Sequence, residues 1–203
     1  RPELVPRPRL VERLDTRLDR KLTLVSAPAG FGKTTLLSEW AANVDRRIAD
    51  VAWLSLDDGD NDPARFWAYV IAALQTLRPG MGEACLAMLQ SLQPPDVEMI
   101  VTGLLNEIAQ VLEPIVLVLD DYHVIETEAI HTFVAFALDH LPPHLHLIVA
   151  TRSDPPLPVS RLRGRGHLSE LRTEDLRFTI SEAATFLNKM MGLHLSAEDV
   201  ADL

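Results

Sequence analysis

Residues 21–35 read KLTLVSAPAGFGKTT, and no other stretch restricts the possible folds so tightly. The apolar run at 22–25 has the character of a buried strand. It passes into a loop of small residues, Ala27-Pro28-Ala29-Gly30-Phe31-Gly32, and Lys33-Thr34-Thr35 opens a helix. Leu37, Trp40, Ala41 and Val44 follow at helical spacing. Strand, glycine loop, Lys-Thr and helix form the context that a phosphate-binding P-loop (Walker A) needs.

Chemistry explains the residue types. Small side chains let backbone N–H groups converge on phosphate oxygens. The helix start behind them adds unpaired donors and partial positive charge. Lys33 is placed to reach the β- and γ-phosphates, and the Thr34 hydroxyl to hold Mg²⁺. Pro28, Ala29, Gly30, Phe31, Gly32, Lys33, Thr34 and Thr35 are therefore the expected nucleotide-binding set. Ala27 stands where the strict pattern has its first glycine, and a methyl there requires negative φ.

Composition narrows the function classes. With 47% hydrophobic residues in 203, the chain can bury the core of one α/β domain with a small appendage. A formal net charge of −10 argues against binding DNA or RNA directly, because phosphate neutralisation needs a basic face. The single cysteine, Cys85, gives no disulfide framework and no cysteine metal cluster, and suits a reducing cytoplasm. No apolar run approaches the ~18 residues of a membrane span, and no signal peptide pattern is present. The chain starts at Arg1 rather than Met and ends soon after a helix start at Ser196, with Asp199 three residues on. Both ends read as cuts in a longer protein.

The pattern alternates strands and helices. Strands are expected at 22–26, 51–56, 115–119, 145–150 and 167–171. Helices are expected at 11–18, 32–44, from Pro63 to about residue 77, 81–93, 97–112, 129–139 and 180–191. Asp62-Pro63 supplies a helix cap and first turn, and Thr179 with Glu182 a capping box. Pro94-Pro95 breaks the chain, and residues 1–10 are expected to be extended. The result is a P-loop NTPase of the α/β class, a parallel sheet with helices on both faces. Residues 1–175 form the expected nucleotide-binding domain, and 176–203 begin a helical extension.

The run IVLVLDD at 115–121 is apolar throughout, as a strand buried on both faces must be. Its two carboxylates read as a Walker B pair. Asp120 is expected to hold Mg²⁺, and Asp121 to orient or deprotonate a water. The shorter arm of Asp121, where many hydrolytic P-loop proteins have Glu, points to slow turnover. The next strand ends in Thr151-Arg152-Ser153. Arg152 there is either a reader of the γ-phosphate or a surface cation paired with Asp154. Arg161, Arg163 and Arg165 are expected in a solvated loop; as a basic lid they would instead suit a small-molecule kinase. The acidic run at 57–62 lacks a calcium loop's closing glutamate, since Ala68 stands twelfth from Asp57. His144 and His146 have no carboxylate motif around them, and His123, near the carboxylate pair, is expected in a structural role.

The segments VPRPRLVERLD, APAGFGKTTLLSEW, WLSLDDGDNDPARFW, VLVLDDYHVI and ATRSDPPLPVSRLRGRGHLSELR occur in that order. Together they closely resemble the N-terminal ATPase domain of MalT-like regulators, the large ATP-dependent LuxR-type activators of the STAND class of NTPases. The resemblance covers roughly residues 4–195. It implies a switch that rests with ADP, becomes active with ATP and then self-associates, and that binds DNA only through a C-terminal domain absent here. It also implies that the segment around Val5, Arg7 and Pro8 lies against the adenine, and that Arg152 is the sensor. ATP/ADP with Mg²⁺ are the implied cofactors, and ATP over GTP rests on the resemblance. A nucleotide-binding scaffold without turnover is the remaining alternative.

Overall fold

A computed structural model describes residues 5–92 and 96–193, together with 195 and 199. Five strands form one sheet: β1 (Leu22–Ser26), β2 (Asp50–Ser55), β3 (Ile115–Asp120), β4 (Leu145–Thr151) and β5 (Leu168–Leu171). The order across the sheet is β2-β3-β4-β1-β5, and every pairing is parallel. β4 thus lies between the strand that feeds the glycine loop and the strand that ends in Asp120.

Side-chain alternation divides the core. Leu22 and Leu24 of β1, Leu117 and Leu119 of β3, and Leu147 and Val149 of β4 point to one face. That face is covered by α3 (Pro63–Gln75), α4 (Glu83–Leu89), α5 (Val97–Ile108) and α6 (Glu128–His140). Val25, Val116, Val118, Ile148 and Ala150 point to the other face, under α1 (Pro8–Asp15) and α2 (Lys33–Asn43). Fully covering both faces is what lets β1, β3 and β4 be apolar without interruption.

Several boundaries differ from expectation, each for a local reason. The proline-rich start is not extended through residue 10. Pro8 occupies the first turn of α1, where no N–H is required of it. The helix at 97–112 stops at Ile108, so Leu112 is 90% exposed rather than aligned with Ile100, Leu104 and Ile108. The helix at 81–93 contracts to α4. The arginine stretch is not a loop: α7 (Val159–Gly164) buries Val159 and Leu162. A single turn, α8 (Thr173–Leu176), was not expected. α9 (Ile180–Thr185) has the expected capping box and continues as a wider π-helical turn, Phe186–Met190. Pro94-Pro95 and the helix start at Ser196 lie outside the described residues.

Arginines from the start of the chain fasten α8 and α9 to this core. Arg7 is buried and donates to the carbonyls of Leu176 (2.6 Å) and Arg177 (3.0 Å). Arg9 binds both oxygens of Glu182 at 3.1 Å, and Arg13 reaches Asp175 at 2.5 Å. No helix among the described residues is long and apolar enough to cross a membrane.

Candidate functional site

The site forms at the C-terminal ends of β1, β3 and β4, where a parallel sheet presents its loops. β1 is wholly buried, so the chain leaves it at a fixed position. Gly30 and Gly32 then adopt φ of +85° and +72°, which side-chain-bearing residues rarely accept. These two turns wrap the loop around the start of α2, whose first N–H groups have no partner within the helix. The first bond of the helix runs from Leu36 N to Gly32 O, 2.9 Å. Pro28, Ala29, Gly32, Thr34 and Thr35 are exposed, and Phe31 is half-buried against the α1–α2 face. Ala27 keeps negative φ, is buried, and donates its N–H to Thr151 O of β4 at 3.3 Å. Its side chain joins the apolar cluster on the α1–α2 face, and with negative φ alanine is tolerated where the strict pattern has glycine.

Lys33 is 7% exposed, and its Nζ donates to Ala27 O (2.7 Å) and Pro28 O (3.1 Å). The ammonium therefore sits over its own loop. Burial, and then the positive charge of Arg152, lower its pKa; Asp121 and Asp120 oppose that shift. Asp120 ends β3 at 1% exposure. Burial raises its pKa, against a hydrogen bond from the Thr34 hydroxyl. It also accepts from Asp121 N at 3.0 Å. Thr34, in the first turn of α2, and Asp120, at the end of β3, the two residues expected to share Mg²⁺, thus influence each other at the C-terminal end of the sheet.

Asp121 has φ of 57°, and it alone among the described non-glycine residues has positive φ. Aspartate tolerates this region better than most side chains, at a cost of order 1–3 kcal/mol. The turn leaves its carboxylate half-exposed while Asp120 stays buried. Arg152 is exposed just beyond β4, and among the described residues it has no ion pair. The alternative pairing with Asp154 does not form: Asp154 binds Arg172 instead, through the Nη1 atom and at 3.3 Å through Nη2. Arg161 and Arg163 are likewise engaged, with Asp139 (2.6 Å) and Glu170 (2.8 Å).

The structure therefore brings together the glycine loop, Lys33, Thr34, Asp120, Asp121 and Arg152. Val5, Arg7 and Pro8 stand apart from this group. Val5 and Pro8 line an open groove of about 440 Å³ with Thr179, Ser181, Glu182 and Lys189, and no loop residue from 27 to 35 borders it. The Arg7 guanidinium is spent on carbonyls and lies 5.0 Å from the Phe178 ring centre.

His123, expected in a structural role, lies beside the carboxylate pair. Its Nδ1 is buried without a hydrogen-bond partner, 3.7 Å from Asp121 Oδ1. Burial lowers its pKa, Arg152 adds to the shift, and Asp121 opposes it. The available signal was its place two residues past the carboxylate pair. His144 and His146 bond to Ile108 O (2.8 Å) and to Arg20 O and the Thr23 hydroxyl (2.7 and 2.9 Å), far from the loop. No metal-binding cluster of His, Cys, Asp or Glu occurs among the described residues, the acidic run at 57–62 included.

No protein-family model matches the chain. Curated relatives do. The HTH-type transcriptional regulator MalT of Serratia proteamaculans is 39% identical over 199 residues, 98% of this chain and 22% of that protein. MalT of Cronobacter sakazakii is 40% identical over 184 residues, 91% of this chain and 20% of that protein. The chain thus spans about a fifth of the length of these relatives. Among solved structures, a STAND protein with a tetratricopeptide repeat sensor from Pyrococcus horikoshii superposes over 97% of this chain and 27% of its own, with TM-score 0.56 and 14% identity. The Orc1 protein of Aeropyrum pernix, solved in complex with DNA, superposes over 95% of this chain and 50% of its own, with TM-score 0.61 and 14% identity. At such identities the structural matches speak for the fold, a P-loop ATPase fold with a parallel sheet.

Proposed function

As a MalT-like, STAND-class P-loop domain, this chain is, we propose, an ATP/ADP-binding switch that hydrolyses ATP slowly and forms part of a transcriptional regulator. The observation that carries the reading is the arrangement at the C-terminal ends of the strands: Lys33 folded over its own glycine loop, 2.7 and 3.1 Å from the carbonyls of Ala27 and Pro28, facing the buried Asp120 and the positive-φ turn at Asp121.

The residues present fit a nucleotide and its metal. Gly30 and Gly32 turn the loop so that N–H groups at the start of α2 face the phosphates. Lys33 exchanges the carbonyls of Ala27 and Pro28 for phosphate oxygens, which gives its ammonium the anionic partner that two neutral carbonyls do not. Pro28, Ala29, Phe31 and Thr35 complete the cradle. Thr34 and Asp120 are the residues that would hold Mg²⁺. An ion there also relieves the buried Asp120 carboxylate, whose raised pKa marks a charge short of compensation. When bound, Mg²⁺ supplies charge neutralisation at the phosphate oxygens.

Asp121 holds the attacking water and accepts its proton as the water oxygen bonds to the γ-phosphorus. The bond from that phosphorus to the bridging oxygen breaks, and ADP leaves with the electron pair. Arg152, without an acidic partner among the described residues, binds the γ-phosphate and so distinguishes ATP from ADP. The resemblance assigns Val5, Arg7 and Pro8 to the adenine; in this structure Val5 and Pro8 border a groove away from the glycine loop, and Arg7 fastens the chain at Leu176 and Arg177. Switching is then a population shift: a tenfold change between ADP and ATP forms needs about 1.4 kcal/mol of differential binding. Self-association with ATP, and DNA binding by another part of a longer protein, complete the proposed role. The relatives are named as HTH-type regulators, and the acidic charge of this domain is unsuited to DNA.

Single-turnover release of phosphate from γ-labelled ATP tests the reading. Label appearing as free phosphate, and lost in Asp121→Asn with ADP binding retained, supports it. Label passing to an acceptor supports a kinase, and binding without release supports a scaffold.

A further inference from the structure

The acidic run Asp57-Asp58-Gly59-Asp60-Asn61-Asp62 has no part in the mechanism above, yet it sits beside the segment that carries Asp121 and His123. Three of its carboxylates accept backbone N–H groups of the run and of the helix start after it. Asp57 Oδ1 accepts from Gly59 N (2.7 Å), Asp60 Oδ2 from Asp57 N (2.9 Å), and Asp62 Oδ1 from Arg65 N at the start of α3 (2.8 Å). The run is therefore a self-bonded brace. Asn61, its one amide side chain, donates back to Asp58 O at 3.2 Å and also reaches out of the run.

The segment it faces needs help. After β3 the chain turns through Asp121 at positive φ, makes one 3₁₀ turn at Tyr122–Val124, and enters α6 at Glu128. So short a turn leaves the N–H groups of Glu126 and Thr127 and the carbonyl of Val124 without regular partners. Asn61 supplies all three. Its Oδ1 accepts from Glu126 N (2.7 Å) and Thr127 N (3.1 Å), and its Nδ2 donates to Val124 O (2.9 Å). Its own backbone carbonyl accepts from the Thr127 hydroxyl at 2.7 Å. A carboxamide offers donor and acceptor from one planar group, which an ionised carboxylate, an acceptor only, does not; this accounts for a single amide in a run of acids. On the opposite side, the buried Tyr122 hydroxyl meets His131 Nδ1 of α6 at 3.0 Å. The turn is pinned from two directions; His123 lies between the pins, and Asp121 immediately precedes the first of them.

We infer that Asn61 is a positioning residue of the nucleotide site: its carboxamide holds the turn that aims Asp121 and His123 at the terminal phosphate. The inference rests on the nucleotide-switch reading. Because Asn61 acts through the turn at 124–127, its loss is expected to appear in the γ-phosphate step and not in the binding of ADP.

The test uses the 203-residue chain with Asn61→Ala and Asn61→Asp, and Lys33→Ala as the control. Single-turnover ATP hydrolysis, ADP affinity by calorimetry, and hydrogen exchange across 121–127 are measured for each. Asn61→Ala is expected to slow hydrolysis roughly tenfold to hundredfold, the scale of a small misplacement of reacting groups, with ADP affinity within about twofold of the parent. Asn61→Asp keeps the acceptor for Glu126 and Thr127 and loses the donor to Val124, so it falls between the two. It also keeps the test open if the alanine variant fails to fold. Exchange is expected to quicken as far as Asp121 and His123. An unchanged rate, or ADP affinity falling in step with the rate, overturns the inference, as does faster exchange confined to 126–127. Lys33→Ala binding nucleotide like the parent overturns the switch reading instead. If the parent shows no hydrolysis, the hydrolytic reading fails and exchange alone decides the role of Asn61.

Discussion

The two ends of the sheet treat the same side chains in opposite ways. At the N-terminal end, Lys21 places its ammonium on the carbonyls of Leu138 (2.9 Å) and Asp139 (2.7 Å), in the last turn of α6. A cation there complements the helix dipole. His146, 1% exposed, has both ring nitrogens bonded, and burial holds its pKa down at about 4. At the C-terminal end, Lys33 also binds two carbonyls, but they belong to its own loop. His123 has a buried ring nitrogen with no partner, Asp120 is buried with its pKa raised, and Asp121 is in a strained turn. One end completes its polar groups from within, and the other leaves them for something else to complete. Uncompensated charge gathered in one place marks a binding site more clearly than any single residue.

Substitutions at the two ends should separate accordingly. The largest effect on stability is expected at the closed end. His146→Ala removes the partner of Thr23 and Arg20 O and leaves a cavity, at a cost of about 3 kcal/mol in urea unfolding at pH 7. The same histidine gives a pH dependence. With a folded pKa near 4 against 6.5 unfolded, the unfolded chain binds more protons between those values. Stability is then full above pH 6.5 and is lost as pH falls through about 4, by roughly 3 kcal/mol in total. A urea midpoint flat over this window would show that His146 is not held neutral by the fold.

At the open end the sign reverses. Asp120→Asn removes a buried charge that lacks its partner, and is expected to stabilise the nucleotide-free chain by about 1 kcal/mol while abolishing the Mg²⁺ dependence of ATP binding. Thermal unfolding with and without Mg²⁺ reads both effects. A less stable variant would mean that Asp120 is a structural group like His146. The smallest change in stability, within about 0.5 kcal/mol, is expected for His123→Ala, whose Nδ1 has no hydrogen-bond partner among the described residues. Its affinity for a non-hydrolysable ATP analogue should nevertheless fall roughly tenfold, with ADP unaffected. Equal losses for the two nucleotides would remove His123 from the γ-phosphate side.

What could be read in the sequence was what depends on neighbours along the chain. The strand at 22–26, the glycine loop, the cap at Asp62-Pro63 and the box at Thr179 and Glu182 are local, and the structure has each of them. The strand at 115–119 was legible because burial on both faces leaves no polar residue in it. Elements that depend on distant partners were not legible. α7 looked like a loop because glycines flank its arginines, yet Val159 and Leu162 dock on the core and Arg161 finds Asp139. Arg7 offered no hint that its partners lie some 170 positions away. The contacts of Asn61 cross 63 to 66 positions. The residue types at the site were in the motifs; their compensation, or lack of it, came only with the fold.

Calorimetric titration of the nucleotide-stripped chain with ADP and with Mg²⁺-ATP, alongside Lys33→Ala, addresses the central claim most directly. Binding of both nucleotides by the parent, weakened roughly a hundredfold in the variant, is the predicted result, and the ADP-to-ATP ratio then gives the bias of the switch. Equal binding by parent and variant, or no binding by the parent, would contradict the claim that the open end of this sheet is a nucleotide site.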